Sequence, residues 1–485
     1  MNTQVRLTGL AVLVMFGALL ANLTWIQVFQ ADRLANHPAN TRLLLKEYSI
    51  ERGPIRSADD ETLAISRPTP GKELKFLRTY DQGELFAHAV GYYSVRFGRG
   101  GLEQFHNKDL TGKSGVLTMQ DLGDQLLGEG EKGDALVLSI DSNVQRAAKQ
   151  ALGDRKGAIV ALDPLNGQVL AMYANPSFDP NPLSAHSGKL QEQTWKNLTE
   201  DDGKPLLNRA TAATYPPGST FKLITSAAAL ESGKQDVTYP AEKEYQAPRT
   251  TRQIRNFGSG TCGGNLAEAL KVSCNTYFAK LAAEELPDGA LEETAKAFGF
   301  TERPPLDNRA AVSRLPSVEE LEEPAFRALS ALGQFEVAAT PLQMALVAAG
   351  IANGGKVPVP KMVKQVEDAR GGLVEQAESE IWKEAVSSDT ASALTQMMIE
   401  VVRGGTGRAA AVEGSEVAGK TGTAQTGAET PGLAWFVGFA PASSPRIALA
   451  VVVEGAGDGR TETGGRLAAP MAKTVFEAHR TAARW

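Results

Sequence analysis

Between Leu7 and Ala31 the chain reads LTGLAVLVMFGALLANLTWIQVFQA and carries no charged residue. In lipid every backbone N–H and C=O has to be satisfied within the segment, so an apolar run long enough for a hydrocarbon core of about 30 Å can only be a helix. A cleaved leader is the competing reading, but its apolar stretch spans only about 7–15 residues and ends in a small-residue cleavage site. Here the run is longer and no convincing site of that type follows it. Residues 7–31 are therefore expected to be a retained anchor, with Trp25 near the interface. Residues 1–6 contain Arg6 and no acidic residue, which by the positive-inside rule makes them a cytoplasmic tail and places the rest of the chain outside.

Composition narrows what lies outside. At 485 residues the chain has room for two or three domains. Its net charge of -6, with Lys and Arg spread along the sequence, offers no basic surface for nucleic acid, which is not an expected partner. Only Cys262 and Cys274 are present, and the five histidines, His37, His88, His106, His186 and His479, show no ligand-like spacing. Neither a metal nor another cofactor is expected.

From residue 33 to about 150 short apolar runs alternate with Gly, Pro and Asp, as in SIERGPIRSADDETLAIS and RGGLEQFHNKDLTG. This reads as strands and loops with a helix, a small non-catalytic domain over residues 32–150. It closes on SNVQRAAKQAL, a helical pattern with Ser142 at its cap. Over residues 151–485 the pattern changes. GAIVALDPLNGQVLAMYA is a hairpin around the turn-forming DPLNG, FVGFA and RIALAVVVEG are antiparallel strands joined by PASSP, and PMAKTVFEAHRTAAR is a terminal helix with Pro470 at its start. Strands at both ends of the region with helical segments between them predict an α+β fold, one antiparallel sheet covered by helices.

Three polar clusters stand out. In YPPGSTFKLITSAAALESG, Ser219 opens a helical pattern that Gly233 ends, and Lys222 lies one turn later on the same face. A serine at a helix start is commonly a cap and a lysine nearby commonly a solvated cation. On a buried face, however, desolvation and the positive helix terminus depress an amine pKa and make Lys222 a base for Ser219. In LAEALKVSCNTYFAKLA, Ser273 and Asn275 interrupt an apolar helical run, either as a capped break, as paired polar residues of the core, or as site residues. In GSEVAGKTGTAQTG, the residues Gly414, Gly419, Lys420 and Thr421 satisfy the phosphate-loop pattern, which needs a helix directly after Lys-Thr. The following GTAQTGAETPG cannot open one, so a nucleotide site is not expected.

S-x-x-K, S-x-N and K-T-G in this order resemble the signature of the penicillin-recognising serine acyltransferases. The spacing of Ser219, Ser273 and Lys420 resembles that of class B penicillin-binding proteins, as do ALGQFEVAATPLQMALVAAGIANGG and the pedestal segments ERGPI, GLEQF and VLSIDSNVQ. The short pedestal is similar to the actinobacterial penicillin-binding protein A branch of that family. Phe335 departs from the glycine common after Gly-Gln, and SADDETLA from the commoner DRNGxxLA. The first departure bears on a loop conformation; neither changes a reactive group.

The resemblance implies a peptidoglycan D,D-transpeptidase, a target of β-lactams. Ser219 would be acylated by the D-Ala-D-Ala stem peptide, with Lys222 as its base, Ser273 as proton relay, and Asn275 holding the substrate amide and Lys222. Lys420 would keep Lys222 neutral and attract the terminal carboxylate with Thr421 and Thr423. The backbone N–H groups of Ser219 and Thr423 would form the oxyanion hole, and Gly422 would let substrate approach the strand. An amine from a neighbouring stem peptide would resolve the acyl-enzyme, and a membrane glycosyltransferase is the expected partner. A D,D-carboxypeptidase, a β-lactam sensor and an assembly scaffold on the same fold remain alternatives. The two cysteines stay open as well. Closing their loop of about 13 residues would contribute on the order of 3 kcal/mol, but two free thiols are equally compatible with the sequence.

Overall fold

The computed structural model describes residues 2–30, 47–70, 74–112, 132–424, 432–456 and 462–485. Ala31, with which the expected anchor ends, residues 32–46 at the start of the expected pedestal, and residues 425–431 after the third motif lie outside the described residues. Asn2–Phe29 is one continuous helix. Its stretch Thr3–Val28 is the only helix among the described residues both long and apolar enough to cross a membrane. None of it is buried against the rest of the protein, the arrangement that a lipid core accommodates and water does not.

The smaller folded unit is built on a six-stranded sheet. Its order is Leu373–Gln376, Val363–Glu367, Ala135–Leu138, Ile55–Arg56, Thr62–Pro68 and Phe76–Thr79. Two of the six strands thus come from far downstream and extend the sheet beyond the early segments. Under this sheet Glu103 is fully buried between two arginines, Arg52 and Arg78, with Arg78 Nε donating at 2.7 Å. The helix Ser142–Leu152 that leads out of this unit is capped one residue earlier than expected. The Asp141 carboxylate accepts the N–H groups of Asn143 and Val144, while Ser142 gives its N–H and hydroxyl to Asp59.

The larger unit is a five-stranded antiparallel sheet. Its strands are β1 (Gly157–Leu162), β2 (Val169–Asn175), β3 (Ala418–Ala424), β4 (Leu433–Ala440) and β5 (Ile447–Val453), in the order β3-β4-β5-β1-β2. The hairpin over DPLNG and the strand pair over PASSP both form. Every residue of β1, β4 and β5 is buried. A one-sided antiparallel sheet alternates apolar and polar residues, so these unbroken apolar runs mean that both faces are covered.

The helices that frame the sheet and the site are, in chain order, α1 (Lys222–Glu231), α2 (Leu266–Val272), α3 (Asn275–Lys280), α4 (Pro341–Ala352), α5 (Ser388–Gly404) and α6 (Ala468–Ala483). The apolar α4 and the terminal α6, with Pro470 in its first turn, both pack on β5. Helices α1, α2 and α5 gather beside the edge strand β3. The three polar clusters converge there.

Candidate active site

Ser219 belongs to a 3-10 turn, Gly218–Phe221, that runs directly into α1 at Lys222. The cap positions are Pro217 and Phe221, neither making a side-chain cap bond, so Ser219 is not a helix cap. The turn is held from three sides. The Gly218 N–H donates to the Gly333 carbonyl at 3.0 Å, Trp435 Nε1 donates to the Pro216 carbonyl at 3.1 Å, and the Thr220 hydroxyl donates to the Pro217 carbonyl at 2.7 Å. Gly333 has φ +68°, and a Cβ there would lie 2.2 Å from the Gly218 carbonyl oxygen, so only glycine permits this approach.

The second cluster is a break that makes the site. Helix α2 stops at Val272, and Ser273 takes a left-handed conformation with φ +61°, a costly geometry for a residue with a Cβ. Cys274 then bends the chain into α3, which begins at Asn275. The turn aims both oxygens of Ser273 at lysines. Lys222 Nζ donates to the Ser273 carbonyl at 2.8 Å and to Asn275 Oδ1 at 2.7 Å, and lies 3.3 Å from Ser273 Oγ. Lys420 Nζ, reaching from β3, donates to Ser273 Oγ at 2.9 Å and to the Thr421 carbonyl at 2.8 Å.

Both lysines are fully buried, whereas Ser219, Ser273, Asn275 and Thr423 are half-exposed above them. Burial first, and the charge of Lys420 second, hold the Lys222 amine well below the usual lysine range. Burial brings Lys420 down to about 7. The arrangement supplies a neutral amine, Lys222, and a second amine, Lys420, that is about half protonated at neutral pH, sharing one hydroxyl next to a serine on a preformed turn.

A penicillin binding protein transpeptidase domain matches residues 157–477, most of the chain. The chain belongs to this family. A penicillin binding protein A dimerisation domain matches residues 52–136. Peptidoglycan D,D-transpeptidase PbpA of Mycolicibacterium smegmatis is 39% identical, with 99% of both chains covered, and that of Mycobacterium tuberculosis is 38% identical, also over 99% of both. Penicillin-binding protein A from M. tuberculosis, solved as a ceftriaxone acyl-enzyme, superposes with a TM-score of 0.85 at 36% identity over 90% of this chain and 99% of the other. Its penicillin G acyl-enzyme gives 0.83 at 36% identity over 89% and 100%.

In this transpeptidase the structure agrees with some expectations, corrects others and decides what had been open. Lys420 and Thr421 lie inside β3, which continues as strand through Ala424 where the pattern needs a helix, so the phosphate-loop pattern is accidental, as expected. Thr421 is buried and its hydroxyl is engaged with that of Thr406 at 2.6 Å. That leaves Thr423 as the more exposed threonine of the motif. Gly422 does not leave open space for a ligand: a Cβ there would lie 2.9 Å from the Pro217 carbonyl oxygen and 2.9 Å from Thr220 Cγ2. The glycine is needed so that β3 can press against the nucleophile turn. Phe335 is left-handed, with φ +63°, a conformation that favours glycine, and stacks on Phe326 at 4.6 Å. Cys262 and Cys274 form a disulfide, with Cα atoms 5.8 Å apart.

Other groups close to the site were not signalled by any local pattern. Thr406 also ties β3 to α2, through its N–H to the Lys271 carbonyl at 3.3 Å. The Gly464 N–H donates to Thr423 Oγ1 at 3.3 Å, which leaves the Thr423 proton to be given elsewhere. Asn256 holds the start of α3.

Proposed function

We propose that the protein is a membrane-anchored peptidoglycan D,D-transpeptidase that works through a Ser219 acyl-enzyme and is acylated by β-lactams. The observation that carries this reading is the hydrogen-bonded set Lys222, Ser273, Asn275 and Lys420 beneath Ser219 in a chain of the transpeptidase family.

A neutral Lys222 amine has two N–H groups and one lone pair. The Ser273 carbonyl and Asn275 Oδ1 only accept, so they take both N–H groups, and the lone pair is left for a hydroxyl proton. Lys222 removes the Ser219 proton as Oγ bonds to the D-alanyl carbonyl carbon. The negative charge that develops on the carbonyl oxygen is met by the backbone N–H groups of Ser219 and Thr423. Their proximity is supported by the 3.0 Å between a Cβ built on Gly218 and the Thr423 carbonyl oxygen.

The proton passes from Lys222 through Ser273 Oγ to the departing D-alanine nitrogen as the C–N bond breaks, with Lys420 stabilising the charge on Ser273. An acceptor amine then attacks the ester, and its proton returns by the same route to Ser219. Thr423 and Lys420 are suited to the terminal carboxylate.

The anchor at 7–31 follows a tail at 1–6; the pedestal expected at 32–150 also takes the strands Val363–Glu367 and Leu373–Gln376 into its sheet, and the rest of 151–485 is assigned to the catalytic unit. We place both folded units outside the cytoplasm, a reading supported by Arg6 before the anchor and by the Cys262–Cys274 disulfide, which suits an oxidising compartment. Cross-linking consumes glycan strands that another enzyme must polymerise, so a membrane glycosyltransferase is the partner this chemistry asks for. Intact mass after mixing with penicillin should show one adduct in the wild type and none in Ser219→Ala. A labelled Ser219→Ala protein would overturn the assignment. Supplying a donor stem peptide with an amine acceptor should yield the cross-linked product; hydrolysis alone would mark a carboxypeptidase.

A further inference from the structure

Helix α3 carries Asn275 at its first position and therefore begins inside the reactive network. The first N–H groups of a helix have no partner within it, and the residue just before, usually Ser, Thr, Asp or Asn, supplies a side-chain acceptor. In this chain that residue is Cys274, which makes no cap bond and whose sulfur is committed to Cys262. The acceptor comes instead from a distant loop. Asn256 Oδ1 accepts the N–H groups of both Asn275 and Thr276 at 3.0 Å.

The other half of the same amide is tied down as well. Asn256 Nδ2 donates to the Glu242 carbonyl at 2.8 Å, to Thr276 Oγ1 at 3.2 Å and to the Gly260 carbonyl at 3.3 Å. The neighbouring Arg255 carbonyl accepts Asn275 Nδ2 at 2.9 Å. Consecutive residues thus hold Asn275 by its backbone and by its side chain. Asn256 is 9% exposed, so water does not compete for these bonds.

We infer that Asn256 is a positioning residue for acylation: by capping α3 from another loop it sets where Asn275 Oδ1 meets Lys222, and hence the orientation of the amine lone pair toward Ser219. The inference rests on the transpeptidase reading. An amide suits the position because one atom accepts two N–H groups while the other end donates to two carbonyls; a carboxylate has no proton to donate, and a hydroxyl has only one, on the same atom that accepts.

The test is a double-mutant cycle on penicillin acylation with the full chain in detergent. Asn256→Ala should slow acylation roughly tenfold or more, the scale of a small misplacement of a catalytic group, with pre-covalent penicillin affinity little changed. In an Asn275→Ala background the same substitution should cost less than about twofold, because the residue it acts through is gone. A wild type that is not acylated at all would sink the transpeptidase reading itself. Acylation of Asn256→Ala within twofold of a reactive wild type, or an equal loss in both backgrounds, would overturn the present inference alone. If Asn256→Ala does not fold, hydrogen exchange in the unaltered protein decides. The Asn275 and Thr276 amides should be protected despite starting a helix, and exchange at the rate of free helix-start amides would refute the cap.

Discussion

Two sets of buried cationic side chains sit in this molecule, and they have opposite chemistry. In the pedestal, Arg52 and Arg78 enclose Glu103, each of the three nearly or wholly shielded from solvent. Burial alone would raise the Glu103 carboxyl, but Arg78 and Arg52 outweigh it and hold it below the usual carboxylate range; Glu103 likewise keeps the buried Arg52 guanidinium charged. In the active site, Lys222 and Lys420 are just as deep, but among the described residues no carboxylate pairs with either, and their amines are driven down. The comparison separates two uses of burial. Where opposite charge is supplied, burial fixes ionisation and geometry; where it is withheld, burial yields a base that is neutral at working pH.

Three experiments sharpen or break this contrast. Lys222→Met should have the largest effect, slowing penicillin acylation by about 10²–10⁴-fold, the range for a lost general base. Stability should fall by less than in the pedestal variant below, since acceptors at Ser273 and Asn275 lose a donor but no ion pair is lost. Acylation within about threefold of wild type would contradict the role of the amine.

Glu103→Gln should do the reverse. It leaves two buried guanidiniums without a counter-charge, a loss of about 3–5 kcal/mol seen as a lower Tm, while acylation per folded molecule stays within twofold. A Tm near that of wild type would mean that the pedestal cluster is not held by charge.

The smallest effect is on pH dependence. The folded pKa of Lys420, about 7, lies below the ordinary lysine value, so between them the unfolded chain binds more protons. The cost of burying this amine is fully present below about pH 7 and is relieved as pH rises through that window. From pH 7 to 9 wild type should therefore gain on Lys420→Met by about 1 kcal/mol per pH unit. Parallel melting curves for the two proteins would show that Lys420 is not a depressed amine.

Much of the catalytic unit was legible locally. Apolar runs around DPLNG and PASSP form the expected hairpins, and the helical repeat after Pro470 forms α6, because each pattern reports burial of neighbours in sequence. The bend at Ser273 was legible only as an alternative, since a helix break and a reactive serine leave the same polar trace in an apolar run. The pedestal was harder to read. Its strands Val363–Glu367 and Leu373–Gln376 join segments more than two hundred residues earlier, and strand pairing at that separation leaves no local trace.

From the sequence alone come the residue types and their order: an uncharged span that must be helical in lipid, and Ser219, Lys222, Ser273, Asn275 and Lys420 in three motifs. Tertiary structure decided everything that depends on distance. It made a bonded network of Lys222, Ser273 and Lys420, joined Cys262 to Cys274, turned Gly422 toward the nucleophile turn, and brought Asn256 to the start of α3. The physical reason is that desolvation and hydrogen bonding act over a few ångströms of space. A pKa or a helix cap is set by whatever the fold places within that range, however far along the chain it lies.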